Sequence, residues 1–302
     1  MQKTTALLMS IIVIVGLLTA CGGDNKEPGT SNSTGQNQNG GAGQGQADGN
    51  EASWSDGKYY AEGEYEEKSD WKEVVSLEVQ EGNITYVNWN GLHRDGGLDK
   101  KTLSVQGKYG MVEKGGAIAP WHEQAEKMEQ YLLEKQDIAA LTINNEGKTD
   151  AVSGVTIGVD SFAQLVNSAV EAGPVEAGPY KDGSYHAEAA EFDPKSGWKE
   201  TVDITVLAGN IAAVQWNGVH KDGGDDKVTL SKSGGYPMVE QGGAQSEWYV
   251  QAHAAEQYLL EKQDPAAIPY DAESGSTDAI SGVSIHVSGF VELAQKALEQ
   301  AK

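Results

Sequence analysis

An α+β fold built twice in tandem is what this sequence predicts, each domain an antiparallel sheet with packed helices. Three observations carry the prediction. From Trp54 onward one unit is written twice. Within each unit, short alternating apolar stretches come first and helical periodicity comes later, the order of an α+β domain rather than of alternating βαβ units. Each unit runs to about 120 residues, enough to enclose its own core and far longer than a solenoid repeat.

The duplication is read position by position. Asp56-Gly57-Lys58-Tyr59 returns as Asp182-Gly183-Ser184-Tyr185, and Trp71-Lys72-Glu73 as Trp198-Lys199-Glu200. Trp89-Asn90-Gly91-Leu92-His93 returns as Trp216-Asn217-Gly218-Val219-His220, each followed by a basic residue (Arg94, Lys221) and then Asp-Gly-Gly. Tyr131-Leu132-Leu133-Glu134-Lys135-Gln136-Asp137 recurs unchanged over 258–264. The predicted boundaries are 54–173 for the first domain and 180–302 for the second, with the Gly/Pro stretch 174–179 as linker.

Each element has a local cause. Residues 58–65 alternate and are rich in Tyr, predicting a strand. Residues 72–80 carry Val74, Leu77 and Val79 and predict a second strand. Gly82-Asn83 marks a turn, and 84–89 predicts a third strand that completes a hairpin. The second unit repeats this over 200–207, Gly209-Asn210 and 211–216. The stretches after each Trp-Asn-Gly, with their glycines, read as loops. Over 120–136, Trp121, Ala125, Met128, Leu132 and Leu133 fall at helical spacing behind Pro120, and the partner helix covers about 246–263. Residues 160–171 and 288–301 predict the closing helices, with Asp160 or Ser161 available as cap of the first.

The N-terminus precedes this duplication. Lys3 and a short apolar run over 6–18 form a secretory signal, too short for a membrane span of about 20 residues. The run ends in Leu18-Thr19-Ala20-Cys21, which is similar to a bacterial lipobox and makes Cys21, the single cysteine, the lipidation site. Residues 1–20 are therefore expected to be a lipoprotein signal peptide. Residues 21–53, mostly Gly, Asn, Gln, Ser and Thr, form a low-complexity tether that cannot bury enough apolar surface to offset ordering. A net charge of -23 excludes a nucleic-acid partner, which needs clustered Lys and Arg. One cysteine excludes an intramolecular disulfide. His93 and His220 recur between the units but the other histidines do not, and no ligand cluster repeats, so no metal is expected.

The stretch that carries chemistry is Asp150-Ala151-Val152-Ser153-Gly154-Val155-Thr156, echoed as Asp278-Ala279-Ile280-Ser281-Gly282-Val283-Ser284. Its Ser-Gly reads locally as a tight turn. That reading gives no reason for the same Asp, Ser, Gly and hydroxyl order in both copies while the flanking loops differ. The motif resembles the flavinylation sequence of the FMN-binding domain family, which includes subunits of sodium-pumping NADH:quinone oxidoreductase and Rnf complexes and lipoproteins of extracellular electron transfer. The similarity covers nearly all of 54–302. Where that family usually has Ala before the acceptor hydroxyl, this chain has Val155 and Val283.

The resemblance implies FMN joined by a flavin transferase through phosphoester bonds to Thr156 and Ser284, up to two per chain. Asp150, Ser153 and Gly154, with Asp278, Ser281 and Gly282, would frame the two attachment turns. Trp89 and Trp216 are either a wall for the flat ring or core residues. Met111 and Met238, in loops before the helices, contact the ring or fill gaps. His93 and His220 are expected in loops, orienting a turn or lying near the flavin. The implied function is a membrane-anchored extracellular electron carrier at the outer face of the cell membrane. A membrane quinol or reductase would be its donor, with ferric iron or soluble flavin as acceptors. A non-redox surface binding lipoprotein and an extracellular flavin-dependent reductase are the alternatives.

Overall fold

The computed structural model describes residues 54–302. The expected signal peptide, Cys21 and the tether lie outside the described residues. No helix among the described residues is long and apolar enough to cross a membrane.

The first repeat holds β1 (Gly57–Glu62), β2 (Trp71–Gln80), β3 (Asn83–His93), α1 (Lys100–Val105), α2 (Trp121–Lys135) and α3 (Asp160–Ala172). The second holds β4 (Gly183–Glu188), β5 (Trp198–Leu207), β6 (Asn210–His220), α4 (Lys227–Ser233), α5 (Met238–Gly242), α6 (Trp248–Lys262) and α7 (Ser288–Glu299). Each repeat has a three-stranded antiparallel sheet, β1-β2-β3 and β4-β5-β6. The expected tandem α+β architecture is the observed one.

Helices cover one face of each sheet. Val75, Leu77, Val79, Ile84, Val87 and Trp89 meet Trp121, Met128, Leu132 and Phe162 in the first core. The second core repeats the pattern with Val202, Ile204, Val206, Val214, Trp216, Trp248, Leu259 and Phe290. Alternation puts Val74 and Ser76 on the opposite face. There Val74 and Leu92 of the first repeat cluster with Leu207 and Ala213 of the second, so the sheets share a smaller apolar seam. Asp182 closes it: the carboxylate accepts from Lys58 Nζ (2.8 Å), Ser76 Oγ, Ala208 N (2.7 Å) and Gly209 N (2.8 Å). The linker is tied down as well, with Val175 N donating to Lys58 O (2.8 Å) and Gly178 N to Ala208 O (3.1 Å).

Several boundaries differ from expectation. β1 ends at Glu62, because the chain must then turn through 67–69 to deliver Trp71. The hairpin turns are Glu81-Gly82 and Ala208-Gly209, with positive φ at both residues of each pair, as a two-residue loop matched to strand twist requires. β3 and β6 run through Trp-Asn-Gly to His93 and His220, pairing with Trp71 and Trp198. Asn-Gly reads as a turn by propensity, but Gly91 is extended here, and the Lys100 stem fills the space a Cβ would take. His93 and His220 are therefore strand ends rather than loop residues. α1, α4 and α5 stand where loops were expected, and Met238 opens α5. Neither Asp160 nor Ser161 caps α3; Val159 does, without a side-chain bond.

Candidate functional site

The turn that bears Thr156 hangs between a buried threonine and a buried glutamine. Thr149 donates its hydroxyl to Thr142 O (2.7 Å) and accepts from Ala151 N (3.0 Å). Val155 N then donates to Val152 O (3.4 Å), and Gly154 takes a left-handed φ of 78° that an L side chain rarely adopts. Val155 is 7% exposed and inserts into the first core. Alternation around the turn leaves Thr156 exposed. From α2, Gln124 is wholly buried, and its Oε1 accepts from Thr156 N (2.7 Å), Thr156 Oγ1 (3.2 Å) and Ile157 N (3.3 Å). Its Nε2 donates to Ala119 O (2.9 Å), which fixes the amide orientation.

The second repeat reproduces this geometry. Thr277 donates to Pro269 O (2.6 Å) and accepts from Ala279 N (3.1 Å). Gly282 has φ 79°, and Val283 inserts into the second core. Gln251 Oε1 accepts from Ser284 N (2.7 Å), Ser284 Oγ (3.2 Å) and Ile285 N (3.2 Å), while Nε2 donates to Ser246 O (2.9 Å). Each exposed hydroxyl gives its proton to the glutamine and keeps its lone pairs for solvent. One side chain differs. Lys127 Nζ lies 3.5 Å from Gly154 O, whereas Ala254 holds that place in the second repeat.

The other expected site residues divide. Ser153 and Ser281 are exposed on the turns. Asp150 and Asp278 are exposed and hold no side-chain hydrogen bond among the described residues; Thr149 and Thr277 do the orienting. Trp89 and Trp216 are 0% and 1% exposed. Trp89 packs against Trp121 and Phe162, and Trp216 against Trp248 and Phe290. Both sit in the cores of their repeats. Met111 and Met238 are partly buried, packed against the two cores.

A second cluster lies one helical turn from each glutamine. The Lys100 ammonium sits over Trp71 (5.7 Å), Tyr109 (5.7 Å) and Trp121 (5.0 Å), and pairs with Glu73 (3.5 Å). The Lys227 ammonium sits over Trp198 (5.8 Å), Tyr236 (5.1 Å) and Trp248 (4.6 Å). His93 and His220 stand edge-on to Trp71 and Trp198 at 5.0 and 5.1 Å. The carboxylates differ. Glu73 also accepts from Trp89 Nε1 (3.1 Å) and from Ser161 Oγ. Glu200 faces Gly289, which has no hydroxyl, and among the described residues Trp216 Nε1, although near Glu200, meets no acceptor at full hydrogen-bonding geometry. Desolvation accordingly raises the Glu200 carboxyl above its ordinary value and lowers the Lys227 amine below its own, each opposed by the other's charge.

Gln124, Gln251, Thr149, Thr277 and the two caged lysines are absent from the sequence expectation. Their signal was present: each recurs at matching positions in both copies. No family model and no curated protein matches the chain. Solved structures similar to it include a solution NMR structure of a Clostridium thermocellum protein, 60% identical over 40% of this chain and 91% of that chain, with TM-score 0.33. A crystal structure of a Clostridium perfringens protein is 25% identical over 40% of this chain and 88% of that chain, with TM-score 0.32.

Proposed function

We propose that the protein is a membrane-anchored extracellular electron carrier whose Thr156 and Ser284 hydroxyls hold FMN through phosphoester bonds. The observation that supports this reading best is the pair of exposed hydroxyls, each on a turn clamped by a buried glutamine with closely matching distances. A structural turn needs its backbone held; it does not need a hydroxyl presented to solvent twice. The residues fit the group: a bulky phosphoester needs an exposed oxygen, and a preceding glycine leaves the approach open. Lys127 adds a cation beside the first site, suited to a phosphoester's negative charge.

When attached, the flavin would supply redox chemistry, and the chain's residues supply position and electrostatics. Gln124 and Gln251 hold each anchor residue by its backbone, accepting from Thr156 N and Ser284 N, bonds that need no hydroxyl proton and so persist in the ester. Cys21 would carry the lipid, and the tether over 21–53 would hold the pair of domains near a membrane quinol or reductase. Ferric iron or soluble flavin would take the electrons.

The test is co-expression of the full chain with a flavin transferase, followed by intact mass. Two FMN additions are expected, with yellow colour that survives denaturation. Thr156→Ala and Ser284→Ala should each remove one addition. An unchanged mass beside an active transferase would overturn the reading.

A further inference from the structure

Duplication has left the two repeats with one buried acceptor set but only one lysine to fill it. In the first repeat, Lys101 on α1 sends its ammonium to Glu129 Oε1 (2.7 Å) and Oε2 (2.9 Å), with Asn88 Oδ1 at 3.4 Å. Glu129 also accepts from Trp89 N (2.7 Å). In the second repeat the acceptors persist as Glu256 and Gln215, and Glu256 still accepts from Trp216 N (2.6 Å). Val228 stands where Lys101 would be.

The vacated space is a cavity. About 480 Å³ opens between the repeats, and Glu256 and Gln215 both line it beside Val228. The first repeat closes it with Trp71, His93 and the 95–98 loop, together with Leu103. Val250 and Tyr249 of α6 complete an apolar and aromatic wall. Glu256 has a side chain only 7% exposed, so its carboxylate is largely desolvated. Its nearest cation is His253 on the same helix, 3.4 Å away.

We propose that this cavity binds a small organic amine, whose ammonium pairs with Glu256 and Gln215 as Lys101 pairs with Glu129 and Asn88, and whose apolar body lies against Tyr249, Val250, Leu98 and Leu103. A buried carboxylate is retained only where a cation or donors compensate it. Tyr249 beside it already carries the Lys232 ammonium over its ring at 5.8 Å, which shows that this wall accepts a cation on an apolar stem. The charged groups facing His253 are Glu256 on its own helix, Lys232 on α4 and Asp95 on the first-repeat loop, with His93 across the cavity. Glu256 and Asp95 raise the His253 titration and Lys232 opposes them. A protonated His253 competes with the ligand's ammonium for Glu256, and a neutral His253 does not. Binding therefore tightens as pH rises past that titration.

Phenethylamine titrated calorimetrically into the purified full chain tests this, with 2-phenylethanol as the neutral counterpart. Saturable binding with one site per chain is expected at about pH 8.5, weakening roughly tenfold at about pH 6, where the imidazole is charged. Val228→Lys should abolish it, because the protein would then fill the site itself, as Lys101 does in the first repeat without harm to the fold. Glu256→Gln should weaken it at least tenfold. No binding by the wild-type chain at either pH would overturn the proposal. So would equal binding by Val228→Lys, or binding of the alcohol as strong as that of the amine. None of these readouts involves Thr156, Ser284 or flavin, so this proposal and the carrier reading fail separately.

Discussion

One glutamine oxygen accepting three hydrogen bonds holds each Ser-Gly turn, and this arrangement sets what a single substitution should do. Gln124→Leu removes the acceptor of Thr156 N and Ile157 N while roughly keeping the volume of the buried side chain. Two stranded donors beside a core, one of them next to the exposed Thr156, should cost about 2–4 kcal/mol. Gln251→Leu should cost a similar amount, since its distances agree within 0.1 Å. Guanidinium unfolding midpoints measure both. A loss below about 0.5 kcal/mol would mean that water replaces the amide and that the glutamine is no clamp. A reader of the sequence sees Gln124 as one more polar residue on an amphipathic helix. Its burial is decided by a turn 32 residues later, which no local window contains. The hydroxyl, Ser-Gly and Asp order was legible because it is contiguous; the group that holds it was not.

Whole elements follow the same division. The long helices and central strands were legible because their apolar residues recur at a fixed period and bury one face. α1 and α4 were not, because six and seven residues give less than two turns of period and follow glycine-rich stretches. What makes them helices is their caps. Asp99 accepts from Thr102 N (2.9 Å), Thr102 Oγ1 (2.6 Å) and buried Asn90 Nδ2 (2.7 Å), and across the seam from Thr205 Oγ1 (2.6 Å). Asp226 caps α4 through Thr229 N (2.9 Å) and meets Lys108 at 3.5 Å, with its side chain 21% exposed. The two caps are equivalent in sequence and unequal in burial. Asp99→Ala should therefore cost about 3 kcal/mol, a cap plus stranded buried partners, and Asp226→Ala about 1 kcal/mol, an ordinary cap. Equal losses in the two unfolding midpoints would count against Asp99 as a joint of the seam. The extra length of β3 and β6 has a similar origin: the Asn-Gly turn signal is overridden by pairing to Trp71-Lys72 and by Lys100 packing on Gly91.

At the scale of the molecule, charge sets the response to acid. The chain carries a net charge of -23, and several of its buried ionisable groups titrate above their ordinary values. Burial raises Glu129 despite Lys101, Glu200 despite Lys227, and Asp203 despite its bond to His186. The contact with Glu256 raises His253. Each of these binds its proton more tightly folded than unfolded, so each contributes stability that is full below its unfolded value and lost as pH rises through its folded one. Those unfolded values are 4.5 for Glu, 3.8 for Asp and 6.5 for His. Of the opposing groups, the lowered Lys227 amine acts in a higher window, its contribution lost as pH falls through its folded value. The lowered carboxylates act in a lower one. In Glu62, burial acts upward but Lys72 and Tyr60 prevail, and in Asp226 burial is outweighed by Thr229 and Asn217. Both are lowered, so the stability they add is lost only as pH falls through their depressed folded values. The unfolding midpoint should thus rise on acidification from about pH 7 to about pH 5 and decline again below about pH 4. Self-repulsion among the surface carboxylates acts in the same direction, but salt screens it while leaving buried groups largely unaffected. Midpoints measured across this range at about 0.5 M salt isolate the buried set. A flat profile there, with the rise confined to low salt, would assign the effect to surface repulsion and remove Glu129, Glu200, Asp203 and His253 from the account.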